Sequence, residues 1–364
     1  MAKYYHYLLL SCLLLLAGCQ SVEYLAIDYM LPADVSFPPS LKRVGVVNNM
    51  PEVPENKPIL AKEKKKDDFE IARKVDYYNG NATIATETLA EALADENYFN
   101  EVIICDSALR TGDITPREAM LSQEEVNRLV DNLDVDFLIA LENVQIHTTR
   151  KIKYMRDWGV YYGTVDAKVY PTVSVYLPNR ATPMVTVNSK DSIFWEEAGN
   201  GPFVQSHLIS EEDVIKQASE FAGTIPVKKL LPYWKTASRY LFCGDSVNMR
   251  DAAVYVREKQ WETAIDLWKQ TYATKKGKKK MQAAYNLAVG YEMLDSITTA
   301  VGWALKAQAE ARIVDGVDKK DLTHLTQADL PNYVLTTLYV TELKEREEGL
   351  ARLNMQMQRF NNDF

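Results

Sequence analysis

Histidine and cysteine are scarce in this chain, four of each in 364 residues, and the spacings that turn either into a metal ligand are missing. There is no His-x-x-x-His and no Cys-x-x-Cys pair, so His147, His207 and His324 read as surface or core imidazoles rather than ligands. Asp131, Asp134 and Asp136 alternate like a calcium loop but lack its sixth-position glycine and closing glutamate, and read instead as a helix end and a strand entry. A glycine-rich phosphate cradle and a Gly-x-Ser-x-Gly elbow are equally absent, and Glu196 and Glu197 stand at no spacing that pairs them. The expectation is a protein with no metal site, no catalytic residues and no cofactor, and not an enzyme. Positive charge is short too. A net charge of −8 leaves no concentrated basic surface for phosphates and argues against a nucleic-acid partner. The basic clusters Lys62–Lys66 and Lys275–Lys280 read as solvated connections, the second at a turn between helices.

The apolar run from Leu8 to Ala17 falls short of the roughly 20 residues that a spanning helix needs. It follows a single positive charge, Lys3, and closes on Leu16-Ala17-Gly18-Cys19, which is the order of a processed leader. The motif resembles the lipobox of bacterial lipoproteins. That resemblance implies removal of residues 1–18 and covalent lipid on Cys19; the alternative is an ordinary secretory signal in which Cys19 is incidental. Three acyl chains, at about 0.8 kcal/mol per buried methylene, hold a protein firmly to a bilayer where one chain does not. Gln20-Ser21-Val22-Glu23 lacks the second-position aspartate that favours inner-membrane retention, so the resemblance implies the outer membrane, the periplasmic side before the cell surface. With Cys12 lost in the leader, only Cys105 and Cys243 remain. They could pair in an oxidising compartment, but one isolated pair is no framework, and two free thiols are expected.

After an anchor and extended linker over 19–40, residues 41–238 read as an αβ domain. Leu41–Val47 is a short apolar strand ending at Asn48-Asn49, followed by a Pro- and Lys-rich loop from Pro51 to about Asp68. A helix from Thr83 to about Asn97 gathers Ile84, Leu89 and Leu93, and the strand Glu101–Cys105 follows. Ser122 and Glu125 have the spacing of a capping box before a helix through Leu129, and Asp136–Leu141 opens the next strand. Val165 to Leu177 alternates apolar with polar as a long half-buried strand, with Pro171 marking an edge or a bulge. A turn at 178–183 returns the chain into a strand over 184–195, and Ser210 with Asp213 caps a last helix. The fold class is α+β: a mixed β-sheet with helices on one face, followed by an all-α region over 239–364.

That second region carries a repeat. Ala252, Tyr255 and Ala264 recur 36 positions on as Ala288, Tyr291 and Ala300, and Trp261, Trp268 and Thr271 are answered by Ile297, Ala304 and Ala307. With a lengthened turn at Lys275–Lys278, this is close to the tetratricopeptide period of about 34. Residues 246–310 resemble tetratricopeptide repeats, and the helix starting at Pro331 is expected to cap them. The groove positions implied by the resemblance are Arg250, Ala253 and Arg257 in the first unit and Gln282, Tyr285, Asn286 and Val289 in the second. The alternative is a groove covered by the rest of the chain, because two repeats cannot bury a continuous core alone.

In element order the αβ domain resembles the curli secretion lipoprotein and the penicillin-binding-protein activator lipoproteins. Leu31-Pro32-Ala33, Arg43–Asn49, Leu231-Pro232-Tyr233-Trp234, Arg239-Tyr240 and the Trp261–Ala264 repeat together resemble an uncharacterised family of Gram-negative lipoproteins, a domain of unknown function preceding a short tetratricopeptide array. The function expected is a membrane-anchored, non-enzymatic envelope lipoprotein that binds another envelope protein through its repeats. The alternatives are an oligomeric secretion component, or a regulator of a cell-wall enzyme. A membrane hairpin over 164–195 is disfavoured, since Asp166, Lys168, Lys190 and Asp191 keep its polar face wet.

Overall fold

The computed structural model describes residues 22–51, 70–105, 107–113, 119–244, 246–319 and 327–361. Cys19, the leader, Lys62–Lys66 and His324 lie outside the described residues. The chain divides into two compact units, one formed by residues up to Leu31 with Trp234–Asn354, the other by Pro32–Tyr233 with Met355–Phe364.

In order, the strands and helices are β1 (Val22–Leu31), β2 (Arg43–Asn48), β3 (Glu70–Asn79), α1 (Ala82–Asp95), β4 (Glu101–Ile104) and α2 (Gln123–Leu133). The antiparallel stretch follows as β5 (Phe137–Met155), β6 (Val160–Tyr176), β7 (Val185–Asn188) and β8 (Asp191–Gly199), then α3 (Gly201–His207), α4 (Glu211–Thr224) and α5 (Val227–Leu230). Strand β9 (Tyr233–Phe242) leads into α6 (Val247–Arg257), α7 (Trp261–Thr274), α8 (Lys278–Met293), α9 (Ile297–Val314) and α10 (Pro331–Asn361).

The αβ unit is built on a mixed sheet in the order β4-β2-β5-β6-β7, with β3 also pairing β5 and β8 also pairing β6. β5 is its spine. One edge pairs parallel with β2 through Phe137–Leu141 and then antiparallel with β3 through Gln145–Lys153, while β6 runs along the other. Asp136 fixes this parallel register, its Oδ2 accepting from the backbone N–H of Lys42 at 2.7 Å and of Arg43 at 2.8 Å. Asp134 ends α2 in the left-handed conformation, so these aspartates do form a helix end and a strand entry. Ser122 and Glu125 close the expected capping box.

Where β2 and β5 run parallel, both faces are apolar. Val44, Val46, Phe137, Ile139 and Leu141 join the main core with Leu89 and Leu93 of α1 and Ala218 and Ala222 of α4. Val47, Leu138 and Ala140 point the other way, against Val126 and Val130 of α2. The main helical layer thus lies on one face, and a single further helix covers the opposite face of the parallel strands. Pro171 is tolerated in the middle of the sheet because the ladder is irregular around it. Beside it β5 shifts register between Leu141 and Asn143, and Ser189, between β7 and β8, donates its N–H to the Pro171 carbonyl at 3.0 Å.

The helical unit starts earlier in the chain than its helices. β1, inside the stretch expected to be a linker, pairs with β9 as a two-stranded sheet. Met249, Ala252, Ala253 and Val256 of α6, Ala264, Ile265 and Trp268 of α7, and Ala288, Ala300, Ala304 and Ala307 further on share one core with Ile27 and Tyr29 of β1. Small residues let the helices close: a Cβ at Gly290 would stand 2.9 Å from both Ile265 and Trp268. The basic cluster Lys275–Lys280 is only partly the expected connection: Lys275 and Lys276 lie in the turn between α7 and α8, where Gly277 takes φ +59°, while Lys278–Lys280 form the first turn of α8 and Lys280 pairs with Glu310.

Two glycines give opposite predictions. A Cβ at Gly223 in α4 would lie 2.6 Å from the Ala85 carbonyl oxygen and 2.9 Å from the Leu89 nitrogen. Gly223→Ala should therefore cost about 1–3 kcal/mol through overpacking against backbone that cannot swing away. Gly302 in α9 has nothing within 4 Å, so Gly302→Ala should stabilise by about 0.5–1 kcal/mol through helix propensity alone. Urea denaturation of the two variants measures both signs.

Candidate functional site

The sequence-derived groove divides into two groups. Gln282, Tyr285, Asn286 and Val289 are buried, Asn286 completely, so the second repeat presents no open groove. The occupant is the chain itself. Asn286 uses both ends of its amide on the last residue of β9, its Oδ1 accepting from the Phe242 N–H at 3.0 Å and its Nδ2 donating to the Phe242 carbonyl at 2.8 Å. The Phe242 ring meets Tyr285 edge-on at 5.4 Å, and Tyr285 packs on Tyr339 of α10 at 4.9 Å. Ala253 is buried as well, whereas Arg250 and Arg257 are exposed on α6. Of the repeat signature, Ala252, Ala264, Trp268, Ala288, Ala300 and Ala307 are fully enclosed, while Tyr255, Trp261 and Tyr291 are half-buried around them.

Beneath β1 and β9 lies a cluster of charges that sequence reasoning missed. Glu292, near the end of α8, has no side-chain exposure. Arg239 of β9 donates to it twice, from Nε and Nη2, both at 2.9 Å, and the Tyr339 hydroxyl donates at 2.7 Å. Arg346 of α10 adds a longer contact at 3.4 Å and binds Asp295 at 2.7 Å. Glu342, one turn before Arg346, accepts from Arg239 at 2.8 Å, from Lys235 at 2.8 Å and from the Tyr29 hydroxyl at 2.6 Å. Three cations meet three carboxylates, with Arg239 over the Tyr339 ring and Arg346 over the Tyr29 ring at 4.9 and 4.5 Å. Burial by itself would raise the Glu342 carboxyl. Hydrogen bonds from Lys235 and Tyr29 and the Arg239 charge outweigh it and hold the group at about 2. Nothing in a single sequence brings β1, β9, α8 and α10 together; the helical spacing of Glu342 from Arg346 was its one local trace.

A cavity of about 540 Å³ opens beside this cluster. Its walls are Ala26–Met30 of β1, Trp234, Met293, Leu350, Leu353 and Asn354, and its charged groups are Asp28, Glu292, Asp295 and Arg346. Trp234 is 65 % exposed at its side.

The αβ unit has two smaller features. At the carboxyl end of β2, beside the middle of β5, Glu142 accepts from Tyr176 at 2.7 Å and from Asn49 at 2.5 Å, and Arg110 donates to Asn49 at 2.7 Å. Burial raises the Glu142 carboxyl despite these donors. On the open face of the sheet, Tyr77, His147 and Tyr170 line a cleft of about 470 Å³, with the Tyr77 and His147 rings stacked at 4.4 Å. Burial, then the Lys168 charge, lowers the His147 imidazole below its ordinary value. His207 stacks on Phe203 at the end of α3. Glu196 is exposed on β8 and bonded by the Tyr162 hydroxyl, while Glu197 points to the other face. Cys105 and Cys243 are free thiols, and burial pushes Cys243 up to about 11. Among the described residues no group of three or more His, Cys, Asp or Glu is placed to hold a metal ion.

A family model described as Domain of unknown function (DUF8603) matches residues 41–242, more than half of the chain. The chain belongs to this family. A second model, described as Domain of unknown function (DUF6340), matches residues 250–345. No curated protein and no solved structure matches. The buried cluster draws on both matched segments of this DUF8603 protein: Lys235 and Arg239 from the first, Glu292, Tyr339 and Glu342 from the second. The DUF8603 match also takes in the whole of β9, which from Trp234 onward belongs to the helical unit.

Removing Arg239 takes from Glu292, whose side chain is fully buried, its two closest charged donors. Arg239→Met should cost about 3–5 kcal/mol in denaturant unfolding, the usual penalty for breaking one side of a buried pair; a loss below the scatter of surface variants would show that Glu292 is otherwise compensated. Glu342 makes a pH prediction. Its folded value, about 2, lies below its unfolded 4.5, so its contribution is complete above pH 4.5 and drains as pH falls toward 2. Glu342→Gln should melt lower than the parent at neutral pH, and the gap should narrow through that acid window.

Proposed function

We propose that this protein is a membrane-anchored, non-enzymatic lipoprotein of a bacterial envelope whose helical unit receives a segment of another envelope protein. The anchor rests on Leu16-Ala17-Gly18-Cys19 after a short apolar run behind Lys3. No helix among the described residues is long and apolar enough to cross a membrane. The observation that carries the binding reading is the contrast between the two concavities of the helical unit. The repeat groove is filled by β9, while the cavity beside β1 stays open, with an exposed tryptophan and an arginine at its walls. Those two residue types anchor protein interfaces. Glu292 at the cavity wall and Glu342 behind it are committed to arginine, lysine and phenol, which favours a structural role for them over proton transfer.

The native protein should begin at Cys19 and carry fatty acyl chains in its intact mass, and Cys19→Ala should leave the membrane fraction; a mature chain without acyl groups overturns the anchor. A photocrosslinking residue in place of Trp234 should capture one discrete envelope protein from intact cells. The same residue at exposed Ile313 of α9 should not, and equal capture at both positions overturns the cavity as the docking place.

A further inference from the structure

The two arginines that the repeat pattern assigned to a groove remain outside it, and the second lies beside β1. Arg257, the last residue of α6, forms an ion pair with Glu23 of β1, at which its side chain is 60 % exposed. Glu23 is the fourth residue after Cys19. Four residues span at most about 14 Å even when fully extended. A lipid on Cys19 therefore cannot be far from the carboxyl end of α6.

The outward side of α6 suits that position. Val247 and Val254 are 58 % and 47 % exposed, unusual for valine, and Arg250 and Arg257 are exposed with them. Steps of three, four and three residues place these four side chains on one stripe, while Met249, Ala252, Ala253 and Val256 fill the core behind. Asp251 flanks the stripe at one edge, and Glu258 and Lys259 follow the helix, all exposed. Tyr24, the neighbour of Glu23, is 68 % exposed with its ring against Tyr240 at 5.1 Å. Apolar side chains alternating with arginine, and tyrosines close by, are what the boundary between headgroups and acyl chains accepts.

We infer that the outward face of α6, with Tyr24, rests on the surface of the anchoring bilayer, and that Arg250 and Arg257 there contact anionic phospholipid headgroups. This rests on the lipid-anchor reading of Cys19. It makes the helical unit lie on the membrane through a defined face, where a free tether would let it tumble.

The test uses the full native lipidated chain in vesicles of phosphatidylcholine with and without phosphatidylglycerol. In a Cys105→Ser background, Val254→Cys carries an environment-sensitive fluorophore, Ile313→Cys carries the same probe as control, and Val247→Cys serves as a second site should the first fold poorly. Quenching by spin-labelled lipid should be several-fold stronger at 254 and 247 than at 313, and stronger still with phosphatidylglycerol. Arg250→Glu should abolish the increment due to phosphatidylglycerol. Intact mass on the same sample separates the two ways of failing. Acyl chains present with equal quenching at 254, 247 and 313 overturns the α6 contact alone, whereas a chain without acyl groups overturns the anchor and this inference with it.

Discussion

A carboxylate with no exposure dictates the architecture of the helical unit. Glu292 ends up with its side chain buried, and an isolated charge there would cost several kcal/mol. It is stable only because Arg239 arrives from β9 and Tyr339 from α10, each at hydrogen-bonding distance. Arg239 in turn is satisfied by Glu342, which binds Tyr29 of β1. These groups are spread over four elements, so the charge requirement selects one mutual arrangement of β1, β9, α8 and α10 where apolar packing would tolerate several.

The same arrangement explains why two helical repeats suffice. An array this short leaves its inner surface uncovered, and the chain covers it with its own backbone, Asn286 gripping Phe242 with both donor and acceptor. A side-chain amide in that position offers what an extended segment needs, one acceptor and one donor for the N–H and C=O of a single residue. A surface of a type that elsewhere receives foreign peptides is here an internal joint. On the proposed reading, partner binding falls to the cavity beside β1 and membrane contact to the outer face of α6.

The αβ unit shows another use of burial. Its parallel core is apolar on both faces and held in register by Asp136. The antiparallel extension of β5 and β6 buries one face and leaves the other to solvent, with Tyr77, His147 and Tyr170 around a cleft. Strand β3 was illegible because its pattern is inverted: Asp76 sits at a buried position and Tyr77 at an exposed one. Strand β1 escaped for a different reason, since its partner β9 lies some two hundred residues away and no local turn announces the pairing.

Local chemistry was enough to specify the features that depend on neighbours in the chain. The capping box at Ser122 and Glu125, the alternation of β6, the small-residue periodicity from Ala252 to Ala307 and the mixed-sheet-then-helices order all follow from side chains within a turn or a strand of each other. The family membership was likewise legible in short motifs spread along the chain. Which of the groove residues would face solvent was not, because Tyr285 and Asn286 look identical in sequence whether they meet water or Phe242. The charge cluster was equally out of reach. Tyr29, Arg239, Glu292 and Glu342 are ordinary polar residues taken singly, and only the long-range closure of β1 on β9 turns them into a buried network, because the free energy of such a group is set by what surrounds it and not by what precedes it.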